Sequence, residues 1–227
     1  MILITGVSRG LGQYLYKNLN KNHIAHGTVR TKAKKNFHNG LYNNFDLTNP
    51  NNFDFLEKNL SKYSCLINNI GIAYDGLLAT QSVKSIEDVL NVNLTQSIIL
   101  TKLYIRSRIS KGGGNVINIS SICSLKGFKG LASYGASKAG LNSLTMTLAR
   151  EMGPANFRIN SISPGYFKTD MSSKIGSENL EKIKKRTPLK RLIEKQDVYN
   201  LVEFLISPKS KMITGQNIVV DGGLTII

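Results

Sequence analysis

"ILITGVSRGLG" at residues 2–12 is the stretch whose reading decides the fold. Ile2 to Thr5 form an apolar run of the length of a buried strand. Glycines follow at 6, 10 and 12, and "LGQYLYKNL" (11–19) then places apolar residues at helical spacing. A strand that turns through glycines into a helix brings the unpaired N–H groups of the helix to the carboxyl end of the strand. Small residues there let phosphates approach the backbone at a positive helix end. The spacing is not G-x-G-x-x-G, and a plain strand–helix turn is the bland alternative. Such a turn rarely needs three glycines, so a dinucleotide site is the favoured reading.

The same alternation continues along the chain. "IAHGTVR" (24–30), "SCLINNI" (64–70), "GNVINISS" (114–121), "FRINSISPG" (157–165) and "QNIVVDGG" (216–223) read as buried strands. Residues 85–109 and 133–153 read as two long helices, the second ended by Gly-Pro. Buried strands alternating with helices predict an α/β fold, a parallel sheet covered on both faces. No Pro/Gly/Ser linker, repeat or low-complexity run divides the 227 residues, so one domain over 1–227 is expected. Ligands bind such sheets beyond the carboxyl ends of the strands, so the strand ends carry the functional reading.

Composition narrows the classes. The chain is 41% hydrophobic and 19% charged, an ordinary globular balance. It has no run of about 18 apolar residues to span a membrane, and "MILI" meets Thr5-Gly6 too soon for a signal peptide. Cys65 and Cys123 lie far apart in apolar contexts, which suits a reducing cytoplasm better than a disulfide. His23, His26 and His38 lack metal-ligand spacing, so no metal is expected. The net charge of +16 admits nucleic acid, anionic lipid or an acidic protein partner. No basic stretch interleaved with aromatics supports nucleic-acid readout, and solvated lysines account for much of the excess.

The charge is unevenly placed. Residues 1–45 contain no Asp or Glu, yet carry Arg9, Lys17, Lys21, Arg30, Lys32, Lys34 and Lys35. A site for NAD usually ends its second strand with an acid that holds the ribose 2′-hydroxyl. Here that place reads Val29-Arg30-Thr31, and the first acid is Asp46. Arg30 and Arg9 suit a 2′-phosphate instead, which points to NADP(H).

"YGASK" at 134–138 places Tyr134 and Lys138 on one helix face, as any inert helix would. The surrounding motifs give the pair its meaning. In order along the chain stand T-G-x-x-x-G-x-G at 5–12, "NNIG" (68–71), Asn93 in "NVNL", "NISS" (118–121), "YGASK", "RINSISPG" (158–165), "KTDM" (168–171) and "DGG" (221–223). In that order and spacing they resemble the short-chain dehydrogenase/reductase family over essentially the whole chain. Within it, "TGVSRGLG", "PGYFKTDM" and "ITGQNIVVDGG" look most like 3-oxoacyl-acyl-carrier-protein reductases.

The resemblance implies a single Rossmann-type doubly wound sheet and a catalytic group of Asn93, Ser121, Tyr134 and Lys138. Ser121 is taken rather than Ser120 because the family's serine lies thirteen residues before its tyrosine. It further implies that Gly6, Ser8, Arg9, Leu11 and Gly12 line the pyrophosphate and adenosine side, that Asp46 and Leu47 flank the adenine, and that Asn69, Ile70 and Gly71 pass under a ribose. Pro164, Gly165, Phe167 and Thr169 border the nicotinamide. Ile70 departs from the usual alanine, and the Asn-rich stretch 31–45 shortens the usual second helix.

In this scheme Tyr134 gives a proton to a ketone oxygen, Lys138 lowers the tyrosine's pKa and holds ribose hydroxyls, Ser121 donates to the substrate oxygen, and Asn93 fixes a water near Lys138. Cys123 reads as a small buried residue rather than a substrate contact. The basic segment 168–195, with nine Lys/Arg against four Asp/Glu, is expected to form a lid. With Arg106, Arg108, Lys126 and Lys129 at the entrance, an acidic acyl carrier is the favoured partner. A sugar, polyketide or other small ketone is the alternative, and a non-catalytic NADP sensor or nucleic-acid binder is the third reading. The family is commonly a homodimer or homotetramer through its two long helices, here 85–109 and 133–153.

Overall fold

In chain order the computed structural model contains β1 (Ile2–Ile4), α1 (Gly10–Leu19), β2 (Ala25–Thr28), β3 (Leu41–Tyr42), α2 (Asn51–Leu60), β4 (Cys65–Asn68), α3 (Val83–Leu90), α4 (Gln96–Arg108), β5 (Gly114–Ile119), α5 (Ala132–Met152), β6 (Phe157–Pro164), α6 (Ser177–Arg186), α7 (Lys195–Ile206) and β7 (Asn217–Val220). The structure describes residues 1–31, 40–43, 45–49, 51–167 and 176–226. All seven strands pair in parallel, in the order β3-β2-β1-β4-β5-β6-β7.

The strands alternate their side chains between two cores, as the period of two requires. Ile2, Ile4, Ile67, Ile117 and Ile162 face one side, where Leu11, Leu15 and Leu19 of α1 and Val198, Val202 and Leu205 of α7 cover them. Leu3, Leu66, Val116 and Ile159 face the other, under Leu56 and Leu60 of α2 and Leu100 and Tyr104 of α4. Each fully buried aliphatic side chain contributes roughly 1.5–3 kcal/mol of transfer free energy, so both helix layers are held by the same driving force.

Six expected strands are present, slightly shorter than read. The edge strand β3 and the helices α2, α6 and α7 were not singled out from the sequence. α7 opens on a capping box, with the Glu194 side chain accepting from Asp197 N–H and Asp197 from Glu194 N–H. The long helix expected over 85–109 is present but not regular. A π turn at Asn91–Thr95 joins α3 to α4 and inserts an extra residue. Strand order reverses between β1 and β4, so the crevice for a ligand opens where Thr5-Gly6 and Asn68-Asn69 end those strands. Among the described residues no helix is long and apolar enough to cross a membrane, and no group of three metal-ligating side chains occurs.

Candidate active site

The turn after β1 is built around close backbone approach. Gly6 and Gly10 have φ of 70° and 62°, the left-handed region that favours glycine. A Cβ on Gly12 would lie 2.2 Å from Gly6 O and 2.4 Å from Asn69 Nδ2, so no other residue fits there. Asn69 Nδ2 donates to Thr5 O (2.9 Å) and Gly6 O (3.2 Å), and Gly6 N–H donates to Thr28 Oγ1 at 3.1 Å. Thr5 Oγ1 accepts from Asn69 N–H and Ile70 N–H, at 3.0 and 3.1 Å. Three strand ends are thereby tied into one cradle at the start of α1. The N-cap residue Arg9 makes no side-chain cap to the helix. A guanidinium has no acceptor, so this helix end suits an anion, and the cradle fits a dinucleotide pyrophosphate.

The other expected cofactor contacts fall unevenly. Ser8, Arg9, Arg30 and Thr31 are exposed at the rim, while Leu11 is buried. The Asp46 carboxylate is engaged by Thr48 N–H and Thr48 Oγ1, both at 2.8 Å, and Leu47 is buried in the core. Leu47 therefore packs inward, where its side chain cannot flank an adenine. Ile70 lies against Gly6, its Cβ 3.4 Å from where a Gly6 Cβ would stand. Pro164 is buried, Gly165 N–H donates to Val220 O at 2.8 Å, and Phe167 is half-buried against the core. Thr169 and the first residues of the expected lid lie outside the described residues.

The tetrad residues converge at the carboxyl ends of β4 and β5. Lys138, 3% exposed on α5, donates from Nζ to Ile119 O at 2.8 Å, and its Nζ stands 5.8 Å from the Tyr134 ring centroid. A Cβ on Gly71 would be 3.4 Å from Lys138 Nζ and 3.5 Å from Asn93 Oδ1, which places both side chains against one glycine. Ser121 caps a short 3-10 turn, its Oγ accepting Cys123 N–H at 3.2 Å, and it hydrogen-bonds Tyr134. Ser120 turns the other way, donating to Lys138 O at 3.1 Å. Asn93 is fully buried in the π turn. Its Oδ1 accepts Ile72 N–H (2.8 Å), and its Nδ2 donates to Ile72 O (2.9 Å) and Ser137 Oγ (3.0 Å). The amide thus brackets the loop after β4 onto α5.

The electrostatics differ from the expected balance. Burial raises the Tyr134 hydroxyl above its ordinary range, with Cys123 and Tyr166 adding to the rise, and Ser121 is the group that draws it down. Burial lowers Lys138 to about 8, against a smaller opposing pull from Cys123. The phenol is therefore held protonated at neutral pH, with the Ser121 hydroxyl drawing it down. Cys123 is not a remote core cysteine. It is partly exposed, hydrogen-bonded to Ser121 and close enough to Tyr134 and Lys138 to shift both, while burial pushes its own thiol up.

A hydrogen-bonded row supports the site from beneath. Asn68 Nδ2 donates to Thr101 Oγ1 (2.9 Å) and Asn118 Oδ1 (2.8 Å), Asn118 Nδ2 to Thr145 Oγ1 (2.9 Å), and Thr145 meets Ser161 at 2.6 Å. It ties α4, β4, β5, α5 and β6 together just below the strand ends. The entrance cations are split. Arg108 sits at the far end of α4, donating to Gly113 O and Ser61 O, and Arg106 is on the same last turn. α4 runs away from the site, so neither borders the entrance. Lys126 and Lys129 do lie in the loop after Ser121.

A family model described as "Enoyl-(Acyl carrier protein) reductase" matches residues 44–225. The chain is 36% identical to the 3-oxoacyl-[acyl-carrier-protein] reductase FabG of Buchnera aphidicola subsp. Baizongia pistaciae, over 98% of this chain and 96% of the relative. The chain belongs to the short-chain dehydrogenase/reductase family. Its fold agrees with solved family members. One is a 4-hydroxyisoleucine dehydrogenase complexed with NADH and succinate, with a TM-score of 0.89, 30% identity and full coverage of both chains. Another is a short chain dehydrogenase from Leptospira borgpetersenii serovar Hardjo-bovis with bound NAD+, with a TM-score of 0.90, 27% identity and coverage of 99% and 92%. Family membership makes this chain an oxidoreductase.

Proposed function

We propose that the protein reduces the ketone of 3-oxoacyl groups carried on acyl carrier protein, with NADPH as reductant. The observation that carries this reading is the meeting of a protonated, buried Tyr134 with Ser121 and Lys138 at the end of the glycine cradle. The relatives named for 3-oxoacyl reduction support the substrate class. A bound reduced nicotinamide supplies the hydride. Ser121 donates to the ketone oxygen as charge builds there, and Tyr134 delivers the proton. Delivery leaves a phenolate next to the Lys138 ammonium, which stabilises it. With one N–H on Ile119 O, Lys138 has further donors that would hold the nicotinamide ribose. The Asn93 amide is committed to Ile72, so a water that refills the proton is held by its main-chain oxygen, which has a second lone pair beside the Ser97 hydroxyl at 3.0 Å.

Arg30 and Thr31 at the end of β2, with no acid before Asp46, support NADPH over NADH. The basic segment 168–195 and Lys126 and Lys129 suit an acidic carrier. The test is cofactor oxidation with 3-oxoacyl-carrier substrates, small thioester mimics and unrelated ketones and sugars. We expect turnover with NADPH, a preference for the carrier-bound substrate, and a loss of at least about 10³-fold in Tyr134→Phe. Equal turnover with NADH overturns the cofactor reading. Turnover confined to a sugar or hydroxy-acid pair overturns the substrate reading.

A further inference from the structure

The loops after β4, β5 and β6 meet near Tyr134, and two of them are stitched together. Gly76 N–H donates to Gly130 O at 3.1 Å, Ser133 Oγ to Gln81 Oε1 at 3.3 Å, and Gln81 Nε2 to Tyr74 O and Gly76 O, each at 3.0 Å. The third loop, after β6, contributes Tyr166. Its ring packs edge-to-face on Phe128 of the β5 loop, with centroids 5.8 Å apart and planes at 77°. Both rings are half-buried. Tyr166 stands close enough to Tyr134 to raise it, and its own hydroxyl is pushed up to about 12 by burial, the Cys123 thiol and Asp75. The pair is thus neutral, positioned from two loops, and adjacent to the proton donor.

The same loops also carry exposed apolar side chains. Tyr74, Leu77, Leu78 and Leu125, all on the two stitched loops, are exposed at 45%, 53%, 57% and 49%. Exposed apolar side chains on the two loops that flank Tyr134 need a reason, since a ketone itself asks only for Ser121 and Tyr134. A sugar would bring a hydroxyl on nearly every carbon, and each needs a partner when buried. The wall offers one, the Tyr166 hydroxyl.

We infer that Phe128 and Tyr166 form the specificity-determining wall of the substrate site, packing the aliphatic part of an unbranched acyl chain beyond the ketone. The inference rests on the acyl-thioester reading above. The wall acts on binding of the chain and leaves proton delivery to Tyr134.

The experiment is a steady-state series with 3-oxoacyl thioesters lengthened by single methylenes, for the wild type and for Phe128→Ala, Phe128→Leu, Tyr166→Ala and Tyr166→Phe. The wild type gains about fourfold in kcat/KM per added methylene over the first few, carried by KM. Phe128→Ala and Tyr166→Ala cut that gain below about twofold per methylene, with kcat for the shortest substrate within about threefold of wild type. Phe128→Leu and Tyr166→Phe, which keep apolar bulk, restore most of the gain. Robust wild-type turnover that is flat in chain length, or alanine variants that keep the full gain, overturns the wall. Absence of thioester turnover by the wild type, with the dinucleotide still binding, overturns the acyl-thioester reading beneath it.

Discussion

Replacing Lys138 with methionine is expected to stabilise the fold while removing the reductase activity. Lys138 is 3% exposed, and burial lowers its pKa from 10.5 to about 8. In the unfolded chain the same lysine keeps its proton to the ordinary value. Below about pH 8 both states are protonated, and the folded state bears the whole cost of burying an ammonium. At about 1.4 kcal/mol per pKa unit, that cost is on the order of 3 kcal/mol. Methionine keeps an apolar stem without the charge, but leaves Ile119 O without its 2.8 Å donor. That loss is worth about 1 kcal/mol. The variant should therefore be more stable at pH 7 by about 2 kcal/mol. Urea unfolding across pH 7–11 checks the sign as well as the size. Between the two pKa values the unfolded wild type binds more protons than the folded one, so wild-type stability relative to the variant rises and the gap closes. A variant less stable at pH 7, or a gap that does not narrow in alkali, would refute the reasoning.

Gly12→Ala forces a Cβ to 2.2 Å from Gly6 O, whereas Gly10→Ala meets nothing within 4 Å. The first should lose about 3 kcal/mol in thermal unfolding and most of its dinucleotide affinity, the second only about 1 kcal/mol for its left-handed φ; the reverse order would sink the cradle. Arg30→Ala is expected to weaken NADPH binding about tenfold by fluorescence titration and NADH less than twofold, and an equal loss for both would show that Arg30 does not read the 2′-phosphate. Burial holds the Cys123 thiol above its ordinary range, so alkylation should be slow at pH 7, quicken in alkali and abolish turnover in the wild type but not in Cys123→Ala. Full activity after complete labelling, read by mass spectrometry, would place that thiol outside the substrate site. Cys65, fully buried and pushed up to about 12, should stay unlabelled throughout.

The alternation of strands and helices was legible because two periods, near 2 and near 3.6, are written in the apolar residues. The glycine turn was legible because only glycine tolerates both the φ of Gly6 and the contact at Gly12. The π turn was not, since an apolar stripe over 85–109 tolerates a slip of one residue without losing its face. Arg106 and Arg108 were misplaced because sequence proximity to Asn93 says nothing of direction. α4 carries them some 20 Å from the strand ends at 1.5 Å per residue. Leu47 shared a motif with Asp46 but points into the core, which the motif alone does not reveal. The Phe128–Tyr166 contact joins two loops whose sequences carry no sign of each other. Tyr166 directly after Pro164-Gly165 was the available hint that an aromatic ring stands at a strand end.

The extra residue at Asn91–Thr95 makes the length of one helix a countable quantity. Each residue advances an α-helix by about 100°. Deleting Leu94 or Thr95 from this turn would restore an ordinary ladder and rotate everything before it by that angle. The amide of Asn93 would swing off Ile72 and Ser137, although every residue type needed for the site would still be present. The strands and the glycine cradle lie outside the rotated segment. A chain of this kind can thus keep its composition, its motifs and its fold and still lose its chemistry through arithmetic alone.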